Sequence, residues 1–259
     1  MVLQCLKKHG ILSAVVFVAF AVGSAQAASI GLNFTDNNNA ATTLPSATSV
    51  GVVPQVNWNN TGVAAGNTSN IVSPVAGKLV NNAGVDSGAT VSWAPTAASG
   101  TYTITGSPSN AIERLFSGIV FVNNAGVTNV TVSNIPYASY DVYVYASGNG
   151  TSGAEGVRVG STTYYMWGAP LTSWTLATST NPASPIAANY SLFPGLSGNS
   201  FTATVFADPN YTTINPMISG LQIVQVAQPE NDIPEPATMA LLGLGVAGLG
   251  GYVRRRRNA

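Results

Sequence analysis

The sequence has very little cysteine, histidine or charge. Its one cysteine, Cys5, and its one histidine, His9, both lie within the first ten residues, and Asp, Glu, Lys and Arg together make up 7% of the chain. Beyond this segment the chain has no thiol nucleophile, no imidazole base and no thiolate or imidazole metal ligand. This excludes Ser-His-Asp hydrolases, papain-like proteases, zinc enzymes and disulfide chemistry for the rest of the protein.

The first 27 residues have the composition of a secretory signal peptide. A short positive region ends at His9, an apolar core follows over residues 11–22, and Ala25 and Ala27 form an A-x-A cleavage site. We expect the secretion machinery and signal peptidase to act here, so that residues 1–27 are removed. The protein is therefore predicted to be exported.

The part of the chain that follows is acidic, although the whole sequence has a formal net charge of zero. Residues 28–236 contain three basic and nine acidic side chains, which gives a net charge of −6. Such a surface excludes a basic nucleic-acid-binding face and attraction to anionic membranes. Nucleic acid is therefore not an expected partner.

Short β-branched and aromatic runs recur between glycine, proline and asparagine. They predict strands at 30–34, 89–93, 102–105, 119–122, 127–133, 140–146, 157–165, 200–206 and 217–226. Hardly any window has helical spacing. We therefore predict an all-β fold, a single jelly-roll-like β-sandwich over residues 28–226, followed by a linker at 227–233.

Alternation within these runs makes more local predictions. Val142 and Val144 should face one side of their strand, with Tyr143 and Tyr145 on the other. Residues 217–226 are apolar on both sides, which predicts a central strand. A further prediction is a two-residue type II′ hairpin turn at Gly160-Ser161.

The C-terminal segment, residues 234–259, combines three features. Pro234, Glu235 and Pro236 precede 17 uncharged residues, 237–253, and a basic cluster follows at Arg254, Arg255, Arg256 and Arg257. As a helix, the uncharged run would reach about 25 Å, near the lower limit for crossing a bilayer. Arginines beside a membrane segment favour the cytoplasmic side. We predict a transmembrane helix at 237–253 with the preceding chain outside the cytoplasm.

These residues resemble the PEP-CTERM sorting signal of bacterial exported proteins. The resemblance implies that the protein is anchored transiently in the bacterial inner membrane and that an exosortase then cuts near the Pro-Glu-Pro box. The body would reach the cell surface or the extracellular matrix, released or re-attached. An ordinary tail anchor is the alternative, but five glycines in the run weaken a permanent helix. The G-x-G-x-x-G pattern at 243–248 lacks the flanking βαβ unit and is accidental.

Three segments of the body, 114–118, 135–145 and 218–224, are similar to the recurring body of certain PEP-CTERM proteins. Those bodies are similar to galactose-binding-like sandwiches and carbohydrate-binding modules. The resemblance implies a jelly roll, and it brings no catalytic residues with it.

The tryptophans are the candidate ligand-binding residues, because aromatic rings stack on the faces of pyranose sugars. Trp58, Trp167 and Trp174 lie in loop-like stretches and are predicted to contact a glycan, whereas Trp93 lies in a predicted strand and is expected in the core. The alternative for each is that it caps the core of the sandwich.

Glycoside hydrolysis would need two carboxylates about 5 to 10 Å apart. The acidic residues of the body are dispersed, and we assign no catalytic residue: Asp36, Asp86, Glu113, Asp141, Glu155 and Asp208. Glu113 and Arg114 are expected in an extended segment, with diverging side chains. Asp208 precedes a proline, which predicts a hydrogen-bonded turn.

Asp36, Asn37, Asn38 and Asn39 offer oxygen ligands for a structural calcium ion, which jelly-roll modules often hold. The segment lacks the later positions of an EF-hand loop, so a polar turn is the favoured interpretation. No other cofactor is predicted.

Three functions remain open from the sequence. The favoured one is a non-catalytic surface or matrix protein that contacts exopolysaccharide. The second is a polysaccharide hydrolase that uses a dispersed carboxylate pair, and the third is a structural matrix protein without a specific ligand.

Overall fold

The computed structural model describes residues 27–37, 39–104, 106–123, 126–146, 153–211 and 215–227, with Leu241, 243–245 and 254–256 beyond them. The predicted signal peptide, apart from Ala27, lies outside these residues, as does most of the predicted span at 237–253. Among the described residues no helix is long and apolar enough to cross a membrane. The transmembrane helix therefore stays a prediction.

Strands are the main regular structure of the described body. Their bounds are β1 (Ser29–Phe34), β2 (Asn59–Thr61), β3 (Gly66–Asn67), β4 (Ile71–Ser73), β5 (Thr90–Pro95), β6 (Ser99–Thr103), β7 (Gly118–Val122), β8 (Val127–Ser133), β9 (Ser139–Tyr145), β10 (Glu155–Val159), β11 (Thr162–Gly168), β12 (Ile186–Ala188), β13 (Tyr190–Ser197), β14 (Ser200–Ala207), β15 (Met217–Ile218) and β16 (Gly220–Gln225). A short helix, α1 (Ala111–Ser117), lies between β6 and β7.

The strands form three sheets. One has six strands in the order β13-β9-β16-β1-β2-β4, another has seven in the order β12-β11-β10-β14-β8-β5-β3, and a third consists of β15-β7-β6. The six-stranded and seven-stranded sheets share one hydrophobic core, in which β1, β9 and β16 contribute side chains from one sheet and β5, β8 and β14 from the other. The predicted all-β sandwich is confirmed.

The six-stranded sheet is buried on both faces. Val142 and Val144 point into the core between the sheets, whereas Tyr143 and Tyr145 belong to a second cluster on the outer face. The second cluster also contains Leu44, Trp58, Leu115 and Phe116. Residues 44–58 and α1 cover this face. The predicted alternation along β9 is confirmed, and so is the central position of β16, which lies between β9 and β1.

Buried polar groups hold the covering loop to the sheet. The Tyr145 hydroxyl donates to Gln222 Oε1 at 2.8 Å and accepts from the backbone N–H of Val52 at 2.9 Å. Gln222 Nε2 donates to the Val53 carbonyl at 2.6 Å and to Gln55 Oε1 at 2.8 Å. Complete burial raises the pKa of Tyr145, so this hydroxyl keeps its proton. The loop is therefore tied to β9 and β16 by buried and partly buried hydrogen bonds.

The expectation of an extended segment at Glu113 and Arg114 is wrong, because both lie in α1. Asn110 caps this helix: its side chain accepts from the Glu113 backbone N–H at 3.0 Å. The Glu113 carboxylate accepts in turn from the Ser109 N–H at 2.6 Å. This bond to the carboxylate lowers the pKa of Glu113. The Asn-x-x-Glu spacing is a helix-start pattern that the strand-oriented interpretation passed over.

Several strands were not predicted. The short strands β2 and β4 pair at one end of the six-stranded sheet, and β13 lies at the other end with Pro194 inside it. The pairing of β13 with β9 shifts register between Phe193 and Leu196. Proline is tolerated in an edge strand because its missing N–H is not needed on the open side. The sequence prediction therefore missed β13, an edge strand that contains a proline.

One of two turns keeps the chain within a sheet, and the other carries it to a second sheet. The run 157–165 is a hairpin of β10 and β11, with Gly160 at φ +59° and Val159 paired with Thr162, as the predicted type II′ turn requires. The turn after β8 leads instead to another sheet, since β8 belongs to the seven-stranded sheet and β9 to the six-stranded sheet.

The packing of Trp93 generates the first prediction. Trp93→Ala should lower the free energy of unfolding by about 3–5 kcal/mol, because a buried aromatic side chain is lost from the core. The ring packs edge-on against Phe34 at 5.6 Å, and its N–H donates to the Val63 carbonyl at 3.1 Å. Urea denaturation measures the change.

The matched control is Tyr102→Ala, because Tyr102 is 60% exposed. This variant should change the free energy of unfolding by less than about 0.5 kcal/mol. Equal losses in the two variants would contradict the core position of Trp93.

Candidate functional site

The seven-stranded sheet has one face in the core and one face towards solvent. Along β8, Val130 and Val132 are buried while Asn129 and Thr131 are half-exposed. In β14 the exposed Thr202 lies between the buried Phe201 and Ala203, and Thr204, two residues further on, is buried. This outer face presents strand side chains to solvent.

Hydroxyl and amide groups line up across this face because the strands are in register. Thr131 lies opposite Thr202, with their hydroxyl oxygens 2.8 Å apart. In the neighbouring row, the Thr204 hydroxyl donates to Asn129 Oδ1 at 2.9 Å, and Thr204 lies opposite Arg158 of β10. The rows form a polar surface with hydrogen-bonding groups at the spacing of the strands.

Four half-exposed aromatic residues lie together at one end of the seven-stranded sheet; we call them the aromatic strip. They are Tyr165, Trp167, Phe206 and Tyr211. The Tyr165 and Phe206 rings are 6.2 Å apart and nearly perpendicular, and the Trp167 and Tyr211 rings are 4.8 Å apart. The Trp167 indole N–H donates to the Pro185 carbonyl at 2.8 Å, which fixes the orientation of the ring.

A glycine makes room for this arrangement. Gly156 lies between β11 and β14, opposite both Tyr165 and Phe206. A Cβ atom at this position would lie 2.4 Å from the Phe206 ring. The ring therefore lies over the backbone at residue 156, and the Arg158 guanidinium carbon is 5.6 Å from its centroid.

The predicted ligand-binding tryptophans have three different environments. Trp167 lies in the aromatic strip on the outer face of the seven-stranded sheet. Trp174 is half-buried and packs against Tyr145 at 5.2 Å, on the outer side of the six-stranded sheet. The structure therefore does not bring Trp167 and Trp174 together.

The expectation that Trp58 is an exposed loop aromatic is wrong. The side chain is fully buried, and its indole N–H is within hydrogen-bonding distance of the Val50 and Gln55 carbonyls, at 3.2 Å from each. It forms part of the cluster beneath residues 44–58, where no ligand reaches its face. Trp93 is in the core, as predicted.

Trp174 borders an open groove of about 610 Å³. The groove also contains Ser49, Gly51, Asn110, Ile112 and Thr172. Asn110 already caps α1, so its oxygen is not available to a ligand. This groove offers one aromatic ring, whereas the aromatic strip offers four.

The exposed acidic side chains have local partners. Asp86 forms an ion pair with Lys78 at 2.7 Å, which lowers the pKa of Asp86. Asp141 lies in β9 and accepts from the Gly195 N–H at 2.8 Å. Among the described residues, neither Asp86 nor Asp141 contacts a second carboxylate.

Glu155 and Asp208 come to the same end of the seven-stranded sheet, and both are fully buried. Glu155 Oε2 accepts from the Met217 N–H at 3.0 Å. Asp208 Oδ1 accepts from the Asn210 N–H at 2.8 Å, which confirms the predicted hydrogen-bonded turn. Both carboxylates hold loop backbone, and we still assign no catalytic residue.

The calcium expectation at residues 36–39 stays a prediction. Asp36 accepts hydroxyl donors on both oxygens, from Thr101 at 2.9 Å and from Thr103 at 2.7 Å. These bonds are those of a polar turn that joins the end of β1 to β6. Asn38 lies outside the described residues, and within them no three His, Cys, Asp or Glu side chains form a metal-binding group.

The C-terminal segment was compared with known protein families. Residues 232–257 match the PEP-CTERM protein-sorting motif. The match spans the Pro-Glu-Pro box, the apolar run and the arginine cluster, which confirms the resemblance seen in the sequence. The motif marks the chain as an exported protein with a C-terminal sorting region.

The body is distantly similar to several solved structures. No curated protein sequence matches the chain. Among solved structures, TmCBM61 in complex with β-1,4-galactotriose has a TM-score of 0.34 at 10% identity, over 52% of this chain and 88% of that one. A family 35 carbohydrate-binding module from Clostridium thermocellum has a TM-score of 0.31 at 10% identity, over 52% and 92%. The CBM36-1 domain of a xylanase from the Trinervitermes trinervoides hindgut metagenome has 0.28 at 12%, over 53% and 99%.

Sequence reasoning missed most of the aromatic strip. Tyr165 and Trp167 are two residues apart in one strand, so alternation could have placed them on one face. Phe206 and Arg158 join them only through strand pairing. No local pattern contains that information.

Gly156 provides a direct test of the aromatic strip. Gly156→Ala should lower the free energy of unfolding by about 1–3 kcal/mol, because the new methyl group forces the Phe206 ring away. Denaturant unfolding measures this loss. The control is Gly106→Ala, since a Cβ atom there meets nothing within 4 Å; its effect should stay below about 0.5 kcal/mol. An unchanged Gly156→Ala variant would contradict the packing described.

Proposed function

We propose that this protein is an exosortase-sorted component of the bacterial cell surface or extracellular matrix that binds exopolysaccharide without catalysis. Binding takes place on the outer face of the seven-stranded sheet. The aromatic strip is the observation that carries the proposal.

The chemistry of this face suits a glycan. Aromatic rings stack on the C–H faces of sugar rings, and hydroxyl and amide groups bond their hydroxyls. Trp167, Tyr165 and Phe206 supply the rings, and Thr204 and Asn129 stand in the adjoining polar row. A flat sheet face leaves both ends open, as a long polymer requires.

The sorting region supports the setting of this proposal. An exported body is delivered to the place where secreted polysaccharide accumulates. Its weak charge and hydroxyl-rich surface favour hydrogen bonding to a hydrated polymer over electrostatic binding to nucleic acid. Exosortase is then the processing partner, and exopolysaccharide is the ligand.

Binding measurements with the aromatic strip altered test the proposal. Trp167→Ala should weaken binding to exopolysaccharide about tenfold or more, because an aromatic anchor at the centre of a contact carries a large share of its energy. Affinity electrophoresis in gels containing the polysaccharide measures the change. The matched control is Trp174→Ala, which changes a tryptophan packed against the six-stranded sheet. It should bind as the unaltered protein does.

Two results would favour the other functions. Release of reducing sugar by the unaltered protein, abolished by Glu155→Gln or Asp208→Asn, would support a hydrolase. Absence of binding and of turnover across a glycan array would support a structural matrix protein.

Processing of the C terminus is a separate prediction. Mass spectrometry of the protein recovered from outside an exosortase-containing cell should find no peptide that contains Arg254, Arg255, Arg256 or Arg257. A variant with Pro234→Ala, Glu235→Ala and Pro236→Ala should keep these arginines and stay in the membrane fraction. Recovery of the intact arginine cluster from the unaltered protein would show that the segment is a permanent anchor.

A further inference from the structure

Arg158 differs from the other basic residues of the body in having no hydrogen-bond acceptor among the described residues. Lys78 pairs with Asp86, and the Arg114 guanidinium donates to the Ala40 carbonyl at 2.9 Å and to the Ala41 carbonyl at 3.3 Å. Arg158 is exposed, and its guanidinium makes no hydrogen bond or ion pair within the part of the chain that the structure describes. Its donors therefore remain available to a ligand.

Packing positions this guanidinium without using its donors. The Arg158 Cζ atom lies 5.6 Å from the centre of the Phe206 ring, a cation–π contact with a member of the aromatic strip. Stacking engages the face of the guanidinium and leaves the N–H groups at its edge free. Because Gly156 lets the Phe206 ring lie over the backbone, the ring, the glycine and the arginine form one local arrangement.

A depression of about 450 Å³ lies beside Arg158 on the polar side of the aromatic strip. Its hydroxyl-bearing lining residues are Tyr140, Ser197, Ser200, Thr202 and Thr204. None of the described residues that line it is acidic. The buried Tyr140 hydroxyl has no hydrogen-bond partner among the described residues. Burial raises its pKa above that of an exposed tyrosine, which is itself protonated at neutral pH.

The negative charge of the body bears on the class of ligand that Arg158 can bind. Residues 28–236 have a net charge of −6, which repels an anionic polymer at long range. A neutral glycan requires no cation, whereas a carboxylated or sulfated sugar requires one at the point of contact. The planar fork of a guanidinium matches two oxygens of such a group.

We propose that Arg158 binds the anionic substituent of an acidic sugar, so that this face selects acidic over neutral polysaccharides. The sugar ring stacks on the aromatic strip while its carboxylate or sulfate group lies against the guanidinium. The inference rests on the proposed function of the same face and adds the class of ligand to it.

The test uses the full-length chain, purified in detergent from a host without an exosortase. Its affinity is measured for polygalacturonate and for the methyl ester of the same polymer, which has the same backbone without the charge. A sulfated galactan and its desulfated form are the second pair and distinguish a sulfate ligand from a carboxylate ligand. The unaltered protein should bind the charged member of at least one pair about tenfold more tightly.

Arg158→Gln should remove this preference and leave binding to the neutral member unchanged, while Lys78→Gln should keep it. Circular dichroism of both variants should match that of the unaltered protein, because both positions are exposed. Equal affinity for charged and neutral members, or a preference that survives Arg158→Gln, would overturn the role of Arg158 and leave glycan binding intact. Failure to bind either member of both pairs would overturn glycan binding by this face as well.

Discussion

Burial of the outer face of the six-stranded sheet is the constraint on which the rest of the structure depends. Residues 44–58 and α1 lie over this face, so β9 and β16 have hydrophobic clusters on both sides. Polar groups taken out of water need partners. Tyr145, Gln222 and Gln55 satisfy this need by bonding one another and the backbone of the covering loop. A sheet used in this way has little strand surface left to offer a ligand.

The seven-stranded sheet differs because its outer face is not covered by the described chain. Threonine and asparagine occupy positions that alternate with the buried valines of β8, so hydroxyl and amide groups stand in rows across the strands. The aromatic strip and Arg158 lie at one end of these rows. A protein with few charges and no thiol or imidazole outside its first residues can still build a recognition surface, since stacking and hydrogen bonding need neither. Under the proposed function, the two sheets have separate tasks, one in stability and one in recognition.

The outcome for particular residues shows which features sequence patterns could predict. Gly160-Ser161 was predicted as a turn and forms one, because a positive φ is a local property that glycine satisfies. The two sides of β9 were also predicted, since alternation is local. Helix α1 was missed although Asn110 and Glu113 have capping spacing, and β13 was missed because Pro194 is tolerated only at an edge. The environment of Trp58 was predicted wrongly, because the asparagines beside it indicated an exposed loop, whereas residues 44–58 fold back as a cover over a sheet.

The sequence by itself determined the chemical repertoire, the β-rich character and the C-terminal sorting motif. Each of these depends on composition or on residues close together in the chain, so no tertiary information was needed. Only the tertiary structure decided that Trp58 is buried, that Trp167 and Trp174 lie against different sheets, and that Arg158 lies over Phe206. These relationships arise from strand pairing and loop packing between segments far apart in sequence, where hydrophobic burial selects the partner and no local pattern records the choice.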